Sequence, residues 1–486
     1  MPFFPTLFIN SSVPAVKYKA FDNHGASDGV NLILGTPTNA TPITIGSLTL
    51  SDLSNNGIGT LNVIAYDTVP FAHHTITTLN DLGLTSLTVS GTGDLAIGAF
   101  TDNVKTLTLT DNSTSTYGLS FTSSITAPNL TTLNLAGSDS AAGSIYIGSL
   151  VLGTQTAFTI NNSFASLSYI GCNTGSPAPY LTTLTLNNTG TGSLGFYNAY
   201  TPYQHNLLTP GGTPANLVAV ELPALSTLNL NGGAIGINVI GDQVTTGITV
   251  NGGTANGDTP DGGIRGILFA TAAIGDIAGD AVTGGAALNY TDKITLGNGT
   301  NLVQDNGLGN VNITLGSGSN TVVVNTASTI VQGTASQTTA ASIVSTATPA
   351  SAESGHDNIT FAAHTLATAD TVFVGYAQTA GTSPAGFAVI TGLNSSSTGS
   401  DAIVFAADPL ATGAVNQLPA FGGFGISLAF AETAASLHHH QIEAFAYGGN
   451  TWLVENSGTH TTIVELIGTT VTHNSSAAAG VLALHG

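Results

Sequence analysis

LTTLNL, residues 130–135, returns as LTTLTL at residues 181–186. In the last four positions of each, leucine alternates with Thr or Asn. An extended chain therefore turns leucine to one face and hydrogen-bonding side chains to the other. The same hexad, with apolar substitutions, opens at residues 45 (IGSLTL), 58 (IGTLNV), 84 (LTSLTV), 104 (VKTLTL), 147 (IGSLVL), 164 (FASLSY) and 225 (LSTLNL). Turn-forming stretches such as SGTGD (90–94), TDNSTS (110–115) and AGSDS (136–140) follow most copies. Short strands joined by such turns, with no helical period between them, predict an all-β chain. Start-to-start spacings run from 13 to 44 residues, which rules out a strict repeat family and fits an irregular parallel β-solenoid or β-roll, or else a stacked β-sandwich. The Leu-x-x-Leu-x-Leu core also suggests leucine-rich repeats, but Ser138 and Gly233 stand where those repeats need Asn or Cys.

Composition narrows the function. Of 486 residues 60 are Gly and only 6% are charged, with a formal net charge of −21. Neutral hydrogen-bonding side chains must therefore keep the surface wetted. The whole basic supply is Lys17, Lys19, Lys105, Arg265 and Lys293. Nucleic-acid phosphate and anionic lipid both need clustered basic groups, so neither is an expected partner. Thr, Ser, Asn and Gly interrupt every apolar stretch, and membrane insertion is not expected. A single cysteine, Cys172, excludes an intramolecular disulfide framework and reads as a small buried hydrophobe. The opening MPFFPTLFIN lacks the basic start and unbroken apolar run of a cleaved signal peptide.

A second repeat lies further on: ITLGNGTNLV at 294–303 comes back as ITLGSGSNTV at 313–322. Gly297, Gly299, Gly316 and Gly318 free the backbone for tight turns, so each copy predicts a half-coil of strand, glycine turn and strand. This pattern resembles the RTX repeats, whose nonapeptide Gly-Gly-x-Gly-x-Asp-x-apolar-x winds a parallel β-roll that binds Ca²⁺ in its turns. Asn301 and Asn320 replace the family's aspartate. By that resemblance the candidate calcium turns comprise Asp292, Gly297, Gly299, Asn301, Asp305, Gly316, Gly318 and Asn320, with Asp357 and Asp401 in the echoes GHDNITF and GSDAIVF. An Asn ladder without metal is the alternative for the same turns. The closing FAYGGNTWLVENSG…TIVELIGT, from Phe445 to Thr469, looks like the last strands of RTX proteins exported by type I secretion. The chain as a whole resembles the solenoid part of Caulobacter-like, RTX-containing S-layer proteins.

Four segments are expected: an N-terminal cap or assembly arm (1–40), an irregular β-solenoid (41–255), an RTX-like glycine-turn β-roll (256–345) and a C-terminal β-rich domain with the export signal (346–486). The expected function is a secreted, non-enzymatic structural protein. It would self-assemble at the cell surface into a layer or filament, with Ca²⁺ as its cofactor, itself as partner and surface polysaccharide as a second partner. Two alternatives stand beside it: a β-helical adhesin or carbohydrate-binding protein, and a glycan-degrading enzyme. An adhesin would need exposed aromatic rows, yet Trp452 is the only Trp, and the cluster Phe196, Tyr197, Tyr200, Tyr203 reads as loop packing. An enzyme would need a carboxylate pair such as Asp258 and Asp261, which reads more simply as a pair of turn formers. Adjacent histidines on a strand diverge, so His438, His439 and His440 cannot all face one metal, and they, like His73 and His74, are read as structural or solvated.

Overall fold

In the computed structural model the hexads are strands, and each coil gives one strand to each of two parallel sheets. The structure describes residues 4–20, 28–38, 41–67, 73–115, 117–137, 143–166, 168–171, 178–192, 194–196, 220–222, 224–232, 235–237, 239–240, 249–252, 267–268, 291–297, 301–305, 310–316, 320–324, 356–362, 370–374, 378–379, 387–393, 401–405, 411, 413–419, 421–458, 460–471, 476–478 and 480–484. The chain divides into two compact units, Met1–Gln204 with Leu217–Leu225 and Asn229–Asn238, and the remainder through Gly486.

In the first unit, β1 (Thr6–Ile9), β3 (Gly29–Leu34), β5 (Thr60–Ala65), β7 (Ser86–Gly91), β9 (Thr106–Ser113) and β11 (Thr132–Gly137) succeed one another in the first sheet. Between them, β2 (Val13–Lys19), β4 (Thr44–Ser51), β6 (His73–Asn80), β8 (Asp94–Thr101) and β10 (Leu119–Thr126) build the second sheet. All these pairings are parallel. Strands Ala157–Asn162 and Thr183–Asn188 extend the first sheet, and Ile145–Ile147, Ser168–Ile170, Leu194–Phe196 and Ile235–Ile237 extend the second. Residues 1–40, set apart in sequence by Phe and Pro, supply β1 to β3, so they are coils of the ladder itself.

The core lies between the two sheets. Leu107, Leu133, Ile160, Leu186 and Leu230 are all fully buried, and the first four stack in register. Burying a Leu or Ile side chain contributes about 1.5–3 kcal/mol, so each coil's inward pair is what holds that coil to its neighbours. Phe100 and Phe121, 6.0 Å apart, do the same on the inner face of the second sheet.

The second unit repeats the plan. Thr291–Thr295, Asn310–Leu315, His356–Phe361 and Phe387–Thr391 form one parallel ladder, and Asn301–Asp305, Asn320–Val324, Thr371–Val374 and Ala402–Phe405 the other. The two strands expected around the glycines of ITLGNGTNLV are therefore present, as Thr291–Thr295 and Asn301–Asp305. Strand direction then reverses: Ile442–Tyr447, Asn450–Asn456 and His460–Ile467 form an antiparallel meander whose last strand joins Phe387–Thr391 in parallel. Helix α1 (Phe424–Leu437) lays Ala431 and Ala435 against Phe445, Trp452 and Val454. No helix among the described residues is long and apolar enough to cross a membrane.

Candidate functional site: stacked side-chain columns

Three of the residues singled out in the glycine turns come together in the second unit. Register places Asn301 beside Asn320, Asn320 one coil before Asp370, and Asp370 one coil before Asp401. Asn320, Asp370 and Asp401 are all buried. Asp370 Oδ1 accepts from the Asn320 backbone N–H at 3.0 Å and from Asn320 Nδ2 at 2.9 Å, and Asn320 Nδ2 also donates to the Gly316 carbonyl at 3.1 Å. Asp401 Oδ1 accepts from the Asp370 N–H at 2.9 Å. Each carboxylate thus reaches back one coil and caps the N–H that opens the preceding strand. Asp370 went unnoticed in the sequence, although ADTVFV repeats the Asp-then-strand order of SDAIVF around Asp401.

The remaining candidates are placed elsewhere. Asp292 and Asp357 lie in the other ladder, each in register with Val311 between them. Asp305 ends strand Asn301–Asp305, and Gly297 and Gly316 follow the preceding strands. Gly299 and Gly318 lie outside the described residues, as do Cys172, Asp258, Asp261, Tyr197, Tyr200 and Tyr203. Among the described residues no group of three or more His, Cys, Asp or Glu side chains is placed to hold a metal ion. The column fits amide capping: Asp370 Oδ1 and Asp401 Oδ1 face N–H donors, whereas Ca²⁺ takes six to eight oxygens.

The first unit holds a more unusual acid set, which the sequence shows only as turn formers. Asp81 Oδ1 accepts from Ile58 N–H at 3.0 Å and Gly83 N–H at 2.9 Å. Asp102 accepts from Asn103 N–H at 2.7 Å, and the Leu84 N–H of the preceding coil also bonds to it. Burial outweighs these bonds and pushes both carboxyls up to about 7. Asp111 is pushed up to about 6 by the same cause, and Asp94 is also raised. Asp52 goes the other way, because Asn56 N–H bonds it at 2.8 Å and holds it below the ordinary range. Gly57, at φ +86°, and Gly118, at φ +66°, make room for two of these carboxylates; a Cβ on Gly57 would strike Asp81 Oδ1, and one on Gly118 would strike Asp111 Oδ2.

The histidines separate as strand alternation requires. His73 faces Asp94 at 3.2 Å and meets the Tyr117 ring edge-on at 5.3 Å. His74 is buried; its Nδ1 accepts from Ile43 N–H at 3.2 Å, so Nε2 carries the hydrogen that reaches the Tyr66 carbonyl at 2.8 Å. His438 caps the end of α1 and pairs with buried Glu443 at 3.1 Å, whose other oxygen accepts from Asn416 at 2.6 Å. Trp452 is buried against Phe424 at 4.4 Å, a core role.

A third set of columns covers the outer face of the first sheet in the first unit. Asn134 Nδ2 donates to Thr108 Oγ1 at 3.2 Å, Asn161 to Asn134 at 2.9 Å, Asn187 to Asn161 at 2.7 Å and Asn231 to Asn187 at 2.8 Å. Beside this amide ladder, Thr106, Thr132, Thr159 and Thr185 stand in register. Stacked coils thus carry a hydrogen-bonded Asn ladder on their outer strand face. What these columns can do chemically is accept and donate hydrogen bonds at strand spacing. No protein-family model, no curated protein and no solved structure matches the chain, so the reading of its function rests on this geometry alone.

Proposed function

We propose that this chain is a secreted structural protein that assembles with copies of itself into a layer or filament at the cell surface. The observation that carries the proposal is the edge of the first coil. Among the described residues β1 pairs with β3 and β2 with β4, and no second strand is described beside either. Open edges recruit further strands unless something guards them. Pro14 and the exposed Lys17 and Lys19 guard β2, whereas β1 carries neither charge nor proline and exposes Phe8 at 66%. In the second unit the parallel ladder ends in antiparallel strands, which supports edge-to-edge joining of like strands over head-to-tail growth.

Negative-stain electron microscopy of the purified chain tests this, in about 5 mM CaCl₂ and in EGTA, since extracellular calcium modules bind at roughly 10⁻⁴–10⁻³ M. Ordered sheets or fibres are expected, and Leu7→Pro in β1 is expected to abolish them without unfolding the core coils. Dispersed particles in both conditions, over all concentrations, overturn the proposal. Calcium enters only as a variable: assembly lost in EGTA assigns it a role that the described side chains do not supply by themselves.

A further inference from the structure

Nine strands of the first sheet in the first unit, from β1 to Asn229–Gly232, present no charged side chain on their outer face among the described residues. Asp52, Asp67, Asp81, Asp94, Asp102 and Asp111 of this unit are buried instead, and Asp28 is half-buried. In the second unit the corresponding ladder does carry charge outward, as at exposed Lys293. In a chain of net charge −21 the first unit's face is a surface on which two copies meet without Coulomb repulsion.

We infer that this face is the lateral contact between copies in the assembly, occupied by the same face of a second copy. The inference rests on the self-assembly reading. Stacked Asn and Thr at strand spacing are the side chains that let two sheets interdigitate, and amides already bonded along the column need no new partner when water leaves. Size decides what kind of contact it makes. Eight steps of about 4.8 Å by three outward residues give roughly 500 Å², below the roughly 800 Å² per partner of a stable pair. Alone it is too weak for a dimer in dilute solution. Repeated along molecules already joined at their edges, it becomes strong through multivalency.

The test replaces Thr106 and Thr159, two coils apart in one outward column, by lysine or by asparagine. Thr106→Lys/Thr159→Lys puts like charges on both halves of the contact, and Thr106→Asn/Thr159→Asn keeps it neutral. Melting curves check that both fold, and the single Thr106→Lys, at an exposed position, serves if the pair does not. The expected result is a drop of at least tenfold in sedimentable material for the lysine variants, with edge-joined particles remaining by microscopy, and none for the asparagine pair. Lysine variants that form layers like the wild type overturn the face as an interface and leave edge assembly standing. A wild type that never sediments overturns both. A wild type that stays monomeric yet cosediments with insoluble polysaccharide, and loses this with the lysine pair, overturns the second copy as occupant in favour of a glycan.

Discussion

Asp81 and Asp102 occupy equivalent positions in successive coils, each one residue past strands paired as Asn80 with Thr101, and each is 1% exposed. Each points back to an N–H of the coil before, Ile58 for Asp81 and Leu84 for Asp102. The proximity of Asp102 further raises Asp81. Two carboxyls stacked out of water favour the protonated form.

A pH dependence follows. Both carboxyls sit at about 7 in the folded chain against an ordinary 3.8, so the native state holds protons that the unfolded chain has released. Above pH 7 both states are ionised and the burial penalty falls wholly on the native state. As pH drops from about 7 to about 4 the native state alone takes up protons and gains stability. Thermal unfolding is expected to show the first unit more stable at pH 5 than at pH 8, by about 3 kcal/mol per carboxyl at one pKa unit per 1.4 kcal/mol. Asp81→Asn imitates the protonated group, keeping the acceptor for Ile58 and Gly83. It should raise stability at pH 8 by about 2 kcal/mol and flatten the profile. A variant as pH-sensitive as the parent would show that Asp81 does not titrate there.

The fold was legible where a pattern repeats on one face. Hexads at residues 58, 84, 104, 130, 181 and 225 are first-sheet strands, and those at 45, 147 and 164 fall in the second sheet. The uneven spacing therefore mixes half-coils with whole ones. Second-sheet strands such as β8 and β10 escape the hexad because Gly98 interrupts one and a register shift between Phe121 and Ser124 breaks alternation in the other. The columns were only partly legible. Asn301, Asn320 and Asp401 share a turn pattern, but a buried carboxylate such as Asp81 is spelled like any exposed turn former. Only stacking of coils removes it from water.

Glycine substitutions should separate steric from conformational need. Gly118 has φ +66°, and a Cβ there would strike Asp111 and lie 2.6 Å from the Ser144 carbonyl. Gly449 in the Tyr447–Asn450 hairpin has φ +87° but meets nothing within 4 Å. Gly449→Ala is expected to cost about 1–2 kcal/mol, the left-handed backbone term alone. Gly118→Ala adds overpacking and should cost about 3 kcal/mol or more. Equal losses in denaturant unfolding would mean that the Asp111 cradle relaxes freely.

The outer amide ladder predicts a graded response. Asn161 both donates to Asn134 and accepts from Asn187, so Asn161→Ala removes two bonds in a half-exposed column. The expected loss is about 1–2 kcal/mol. Asn231, at the end of the described ladder, donates to Asn187, and Asn231→Ala should cost about half as much. Identical losses at the two sites would remove the case for a connected ladder.

The column in the second unit gives the sharpest contrast between capping and metal binding. Asp370→Asn keeps an acceptor for the Asn320 N–H, whereas Asp370→Ala leaves that N–H and Asn320 Nδ2 without it. If capping is its role, alanine should cost about 2–3 kcal/mol and asparagine far less, with the same difference in EGTA and in calcium. A metal ligand behaves otherwise, because asparagine lowers the charge at the site and sacrifices the calcium-dependent part of stability as alanine does. Asp401, whose Oδ1 accepts from the Asp370 N–H in turn, should follow the same order.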